Sequence, residues 1–141
     1  MTAPAVVDKS VQEARDVIAN LQTALEGMEQ LVMEPVHHFS GGLYARELTL
    51  PKGSTVIGKI HKHAHLNVVL RGHVTVTTPF GTEDIKGPCI FESKPDTKRA
   101  VYAHEETVWL TFHPTDETDV DEIEKQIILP DYSDKLALEN V

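Results

Sequence analysis

Cysteine is nearly missing from this chain of 141 residues: Cys89 stands alone. An intrachain disulfide is therefore impossible, and a cysteine-rich zinc site is excluded. The setting Gly87-Pro88-Cys89-Ile90-Phe91 reads as the entry to a strand, with a buried structural thiol rather than a nucleophile. Positive charge is also short. Thirteen Lys and Arg face 22 Asp and Glu, for a formal net charge of −9. Phosphate-backbone affinity comes from Lys and Arg, so direct nucleic-acid binding is not expected. No apolar run approaches the ~20 residues of a membrane span, so no membrane partner is expected. The start, Met1-Thr-Ala-Pro-Ala-Val-Val, lacks the basic region and apolar stretch of a signal peptide. A protein made in a reducing cytoplasm is the expectation, and one later assembled into a virion has the same features. Apolar content of 40% and charged content of 25% are ordinary for a globular chain, and the length suits one core.

Residues 1–9 read as a flexible arm. A helix is expected over 10–34, with Ser10 and Glu13 in capping-box spacing and Pro35 ending it. Its apolar positions Ala14, Ile18, Leu21, Leu25, Met28 and Val32 follow a heptad seam, widened by Val17, Ala24 and Leu31. That stripe serves equally for packing on its own domain or for pairing in a homo-oligomer. From 36 to 114 short β-branched runs alternate with turn signals. Strands are expected at 43–50, 55–61, 65–70, 73–78, 83–85, 89–93, 99–103 and 107–113. Such a series with no intervening helix predicts an all-β antiparallel barrel or jelly roll. Residues 115–141 form an acidic segment, with a short helix starting near Thr118 and a tail in which Tyr132 and Leu136 are candidate anchors. Carboxylates in a first helical turn oppose the helix dipole, and the spacing lacks the glycine and distal glutamate of a calcium loop.

The most informative stretch is Lys59-Ile-His61-Lys-His63-Ala-His65. A strand through it points three imidazoles to one face, and neutral imidazole is the commonest ligand for transition metals. The same stretch resembles the first motif of the cupin family: Gly, five residues, His-x-His, three or four residues, Glu, six residues, Gly. Gly53 and Gly72 fall at the two glycine positions, with Leu50-Pro-Lys before the first and Val69-Leu-Arg before the second. In that register Lys59 stands for the first histidine, His61 matches the second, and His65 replaces the glutamate. The second motif maps to Pro95-x-Thr97, with Ala100 at its histidine and His104 at its asparagine. The resemblance spans about residues 43–113. It implies a cupin-like jelly-roll barrel with a degenerate ligand set. The block Lys98 to His113 is also similar to small cupin-like proteins encoded by tailed phages, which implies a virion context.

Neighbouring same-face positions on a strand are ~7 Å apart, whereas the outer pair of a triplet is ~13 Å apart. Two imidazoles can therefore share one ion more readily than three. By the resemblance, His61 and His65 are the lead pair, with His63 in reserve. Another strand must add a third ligand, for which His104 and Tyr102 are the candidates. All-nitrogen ligation suits zinc, nickel, iron or copper. Lys59 would oppose a cation unless it points outward, and Lys62 is expected on the opposite face. His37 and His38 read as exposed loop residues, and His113 as a strand-end or surface residue. His73 is a lesser candidate for the site. Lys98 and Arg99 read as exposed loop charges able to grip a carboxylate, and Trp109 as core. Two functional readings follow. The leading one is a non-catalytic structural or accessory protein that oligomerises, in a phage capsid or tail among other virion proteins. The other is a small metal-dependent enzyme of the dioxygenase, isomerase or lyase class acting on a small acid or sugar. It would have His61 and His65 as ligands and Tyr102 or His63 as acid or base.

Overall fold

The computed structural model describes residues 9–28 and 33–129. The expected arm up to residue 8, the seam positions Leu31 and Val32, and the tail with Tyr132 and Leu136 lie outside them. Two sheets face each other. The first is five-stranded, ordered β1 (Val36–Ser40), β2 (Leu43–Leu50), β10 (Thr107–Pro114), β5 (His65–Arg71) and β8 (Cys89–Ser93). The second is ordered β3 (Thr55–Ile57), β9 (Ala100–Ala103), β6 (His73–Thr78) and β7 (Gly81–Lys86). Every pairing is antiparallel. Between them lies an apolar core that includes Leu50, Val69, Val74, Val76, Val101 and Trp109. Period-2 alternation supplies it: in β6, Val74 and Val76 turn inward while Thr75 and Thr77 face outward. Cys89 is half-buried against this core.

Three elements depart from the sequence expectations. The strand expected over 55–61 breaks at Gly58, whose N–H donates to the Arg99 carbonyl, so β3 is separate from β4 (Ile60–His61). His37 and His38 lie in β1, not in a loop. His37 Nδ1 sits 2.6 Å from the Tyr44 hydroxyl, and His38 Nε2 sits 3.0 Å from Glu47. Helix α1 (Lys9–Glu26) stops well short of Pro35, at Gly27, and Ser10 lies inside its first turn. Its packed face runs through Ala14, Ile18 and Leu25 toward the barrel, with Ile18 buried, whereas Leu21 and Met28 of the expected seam are exposed.

The acidic segment forms α2 (Val120–Ile127) and then β11 (Ile128–Leu129). Asp119 caps α2 by accepting from the N–H groups of Asp121 and Glu122, satisfying donors that a helix start leaves open. Ile123 is fully buried, and β11 pairs with β4. Thus the C-terminal elements brace the short strand that carries His61.

Of the two glycines that the resemblance marks, both have positive φ, 81° at Gly53 and 111° at Gly72. Gly72 is the more constrained. A Cβ there would meet Thr107 Oγ1 and come within 2.7 Å of the Glu106 carbonyl. Gly72→Ala should therefore destabilise by more than the ~1–2 kcal/mol of an unfavourable left-handed residue alone, because the clash adds to it. A lowered urea midpoint with unchanged slope would register this, and an unshifted midpoint would contradict it.

Candidate metal centre and anion cavity

The first sheet stacks its inward side chains in rows across the strands. Tyr44 pairs with His113, and Arg46 with Thr111. Thr111 pairs in turn with Asn67, and His65 with Ser93. Because Leu66 pairs with Phe112, the next step of the ladder sets His65 beside His113. His61 arrives from β4. The ring centroids lie 4.1 Å apart for His61 and His65, 5.2 Å for His61 and His113, and 4.9 Å for His65 and His113. One ring nitrogen from each lies within 4.8 Å of the others. Three imidazoles therefore converge from β4, β5 and β10.

Burial holds all three neutral. His61 is pushed down to about 2, first by burial and then by the charges of His65, His113 and Arg99. His65 is lowered to about 4 by burial and by Arg99. His113 is lowered to about 4 by burial, His65 and Arg46. Neutral rings keep a lone pair for a ligand at pH values where an exposed imidazole would be charged. Neither ring nitrogen of His65 is in a well-formed hydrogen bond, although both are buried; the His63 backbone and the Asn67 side chain lie close enough to favour its protonated form, and burial outweighs them. A buried polar group left unpaired costs about 1–3 kcal/mol, and a metal ion bound there would remove that cost.

The structure departs from the expected ligand set. His63 sits exposed in the bend after β4, because the strand breaks there and the expected three-histidine face does not form. His104 is on the outer side of the second sheet, with Nε2 2.6 Å from Thr75 Oγ1 and its ring 4.4 Å from that of His73. His73 Nε2 contacts Asp84 at 2.7 Å, so these three form a separate exposed cluster. Tyr102, 44% exposed, faces outward beside His104 and away from the three converging imidazoles. His113, expected at the surface, is 4% exposed. Its inward direction was readable in the alternation Trp109, Thr111, His113, because a core tryptophan fixes the face of its strand. Lys59 points outward and contacts Glu124 of α2 at 3.0 Å. Lys62 donates to the Lys125 carbonyl.

Lys98 and Arg99, expected as exposed loop charges, are also drawn in. Lys98 is buried, and Arg99 reaches into the barrel. Arg99 Nη1 donates to Ser93 Oγ at 2.6 Å, and its guanidinium lies 5.1 Å over the Trp109 ring. Asn67, fully buried, donates to Ser93 Oγ at 2.8 Å and accepts from Trp109 Nε1 at 3.0 Å. Beside this network lies a cavity of about 100 Å³ lined by Arg46, Leu48, His61, Arg99, Val101 and Trp109 among others.

Scanned against known protein families the chain matches none, and a search of curated proteins finds no relative. Solved structures do resemble it. Ectoine synthase from P. lautus superposes with a TM-score of 0.56 at 10% identity, over 74% of this chain and 81% of that one. A cupin superfamily protein from Desulfitobacterium hafniense gives 0.51 at 10% identity, over 82% and 95%. A salicylate 1,2-dioxygenase from Pseudaminobacter salicylatoxidans gives 0.55 at 12% identity, over 82% of this chain and 36% of that one. Identities this low carry likeness of fold, and the fold is the cupin jelly-roll barrel.

The lowered imidazoles set a pH dependence for the metal-free protein. In the unfolded chain each takes up a proton near its ordinary value of 6.5, whereas the folded chain resists down to about 4 for His65 and His113 and about 2 for His61. Below 6.5 the unfolded state thus binds more protons, so stability is full above that pH and falls as pH drops through the window. Urea midpoints of chelator-treated protein should decline between about pH 6.5 and 5, above the main carboxylate range. The decline should be shallower in a His65→Gln/His113→Gln variant. Equal slopes in the two proteins would contradict the assignment.

Proposed function

We propose that the barrel holds one transition-metal ion on His61, His65 and His113 and acts on a small molecule in the adjoining cavity, as a metal-dependent enzyme. The observation that carries this reading is His65, buried inside a cluster of three neutral imidazoles with neither ring nitrogen in a well-formed hydrogen bond. The donor set fits nitrogen-preferring ions: zinc, nickel, copper or iron. Bound there, such an ion supplies Lewis acidity toward a substrate oxygen or lowers the pKa of a water. The chain's own groups set the remaining conditions. Leu48, Val101 and Trp109 exclude bulk water from one side of the cavity, and Arg46, Arg99 and Thr111 present polar hydrogens to whatever enters. The outward turn of Lys59, paired with Glu124, keeps its ammonium away from the three rings.

Elemental analysis of protein purified without an affinity tag tests this. One equivalent of metal should be found at the triad, and His61→Ala, His65→Ala and His113→Ala should each lose it. His63→Ala should retain it. No metal in the native chain, with no loss of thermal stability on chelation, would end the reading.

A second reading, an assembling protein without catalysis, draws on the outer face of the first sheet. Leu66, Leu70 and Ile90 are each more than half exposed. Val68 pairs with Ile90, so these residues form one apolar patch across β5 and β8. Such a patch suits a second copy of the chain or, in a virion, a neighbouring coat or tail protein. Sedimentation equilibrium should then show an oligomer that Ile90→Lys dissociates. A monomeric native chain would remove this reading.

A further inference from the structure

The cavity beside the three histidines carries a charge pattern that the fold does not require. The protein is strongly acidic overall, yet no carboxylate lines this cavity among the described residues. Two guanidiniums do, and Lys59 adjoins it with its ammonium already paired to Glu124. Arg99 reaches in from the segment before β9, and Arg46 projects from β2. Neither makes an ion pair with a described residue. Arg99 is held by neutral partners only: Ser93 Oγ at 2.6 Å, Asn67 Oδ1 at 3.4 and 3.5 Å, and the face of Trp109. Arg46 makes no hydrogen bond through its side chain among the described residues. A buried cation is ordinarily paired, because taking it out of water costs several kcal/mol. Guanidinium also presents five N–H donors in a fork that matches a carboxylate, and these contacts leave part of that fork open.

We infer that this cavity is an anion site, and that its ligand is a small carboxylic acid gripped by Arg99 and Arg46. The cavity is small, about 100 Å³, and a short acid suits it. With His61 on the cavity wall, the remainder of the acid lies toward the three imidazoles. The carboxylate neutralises the guanidiniums, and its carbon skeleton rests on Leu48, Val101 and Trp109. The substrate placement rests on the metal reading above; the binding itself does not.

Trp109 is the chain's one tryptophan and touches Arg99, so its fluorescence reports on the site directly. Chelator-treated protein is titrated with glycolate and, separately, with glycolamide, a neutral molecule of nearly the same shape. Glycolate should shift the emission saturably and glycolamide should not. Arg99→Lys should weaken glycolate by about tenfold or more, the loss expected for a charge-assisted hydrogen bond. If that variant unfolds because Ser93 and Asn67 lose their partner, Arg46→Gln decides. It should keep its melting temperature and bind glycolate several-fold more weakly. Equal responses to acid and amide, or a folded Arg46→Gln variant that binds like the native chain, would overturn the proposal. The two readings fail separately. Glycolate binding without metal uptake leaves the anion site standing and removes the metal, whereas metal uptake without discrimination between acid and amide does the reverse.

Discussion

A guanidinium enclosed without a carboxylate sets the terms of this barrel's interior. Arg99 enters the space between the sheets, and the surrounding polar groups are arranged around it. Ser93 and Asn67 accept from it, Asn67 also accepts from the Trp109 indole, and the indole face lies against the cation. The same charge acts on the imidazoles. It opposes protonation of His61 and His65, adding to the burial that already keeps them neutral. One side chain therefore links the packing of the polar layer to the state in which the histidines can donate lone pairs.

That arrangement has an electrostatic cost for a metal. A divalent ion at the three rings would sit near two guanidiniums, and like charges in a low-dielectric interior repel strongly. An anion between them reverses the balance. Metal and acid are then coupled ligands, each raising the affinity of the other by the same factor, because linkage between binding events is reciprocal. Such a site holds its metal loosely when empty of acid and firmly when filled.

Much of the fold was legible in the sequence because it follows from short-range rules. The strands at 73–78 and 89–93 are recovered as β6 and β8, bounded by Arg71-Gly72, Pro79-Phe80 and Gly87-Pro88. Gly53 and Gly72 mark the turns after β2 and between β5 and β6, where the backbone has positive φ. The pair His61 and His65 was singled out by the family resemblance, and the structure brings both to one cluster. What was not legible depends on tertiary placement. The break at Gly58 arises where its N–H meets the Arg99 carbonyl, a partner 41 positions away, and it splits a continuous β pattern. His113 was misplaced because its proline neighbour suggested a strand end, while its alternation with Trp109 carried the truer signal. Arg99 read as a loop charge because no local pattern says that a loop folds inward. His104 and Tyr102 occupy the expected motif positions, yet β9 turns that face outward.

The brace that α2 and β11 give to β4 rests on few contacts, each made across a long stretch of chain. Lys59 meets Glu124 across 65 positions and Lys62 meets the Lys125 carbonyl across 63, while the ladder between β4 and β11 is only two residue pairs long. Contacts this distant in sequence and this few in number reward the chain only after its large loop has been closed. The strand carrying His61 is therefore held by the far end of the described chain, and a chain cut after β10 would leave that member of the three rings without its clasp.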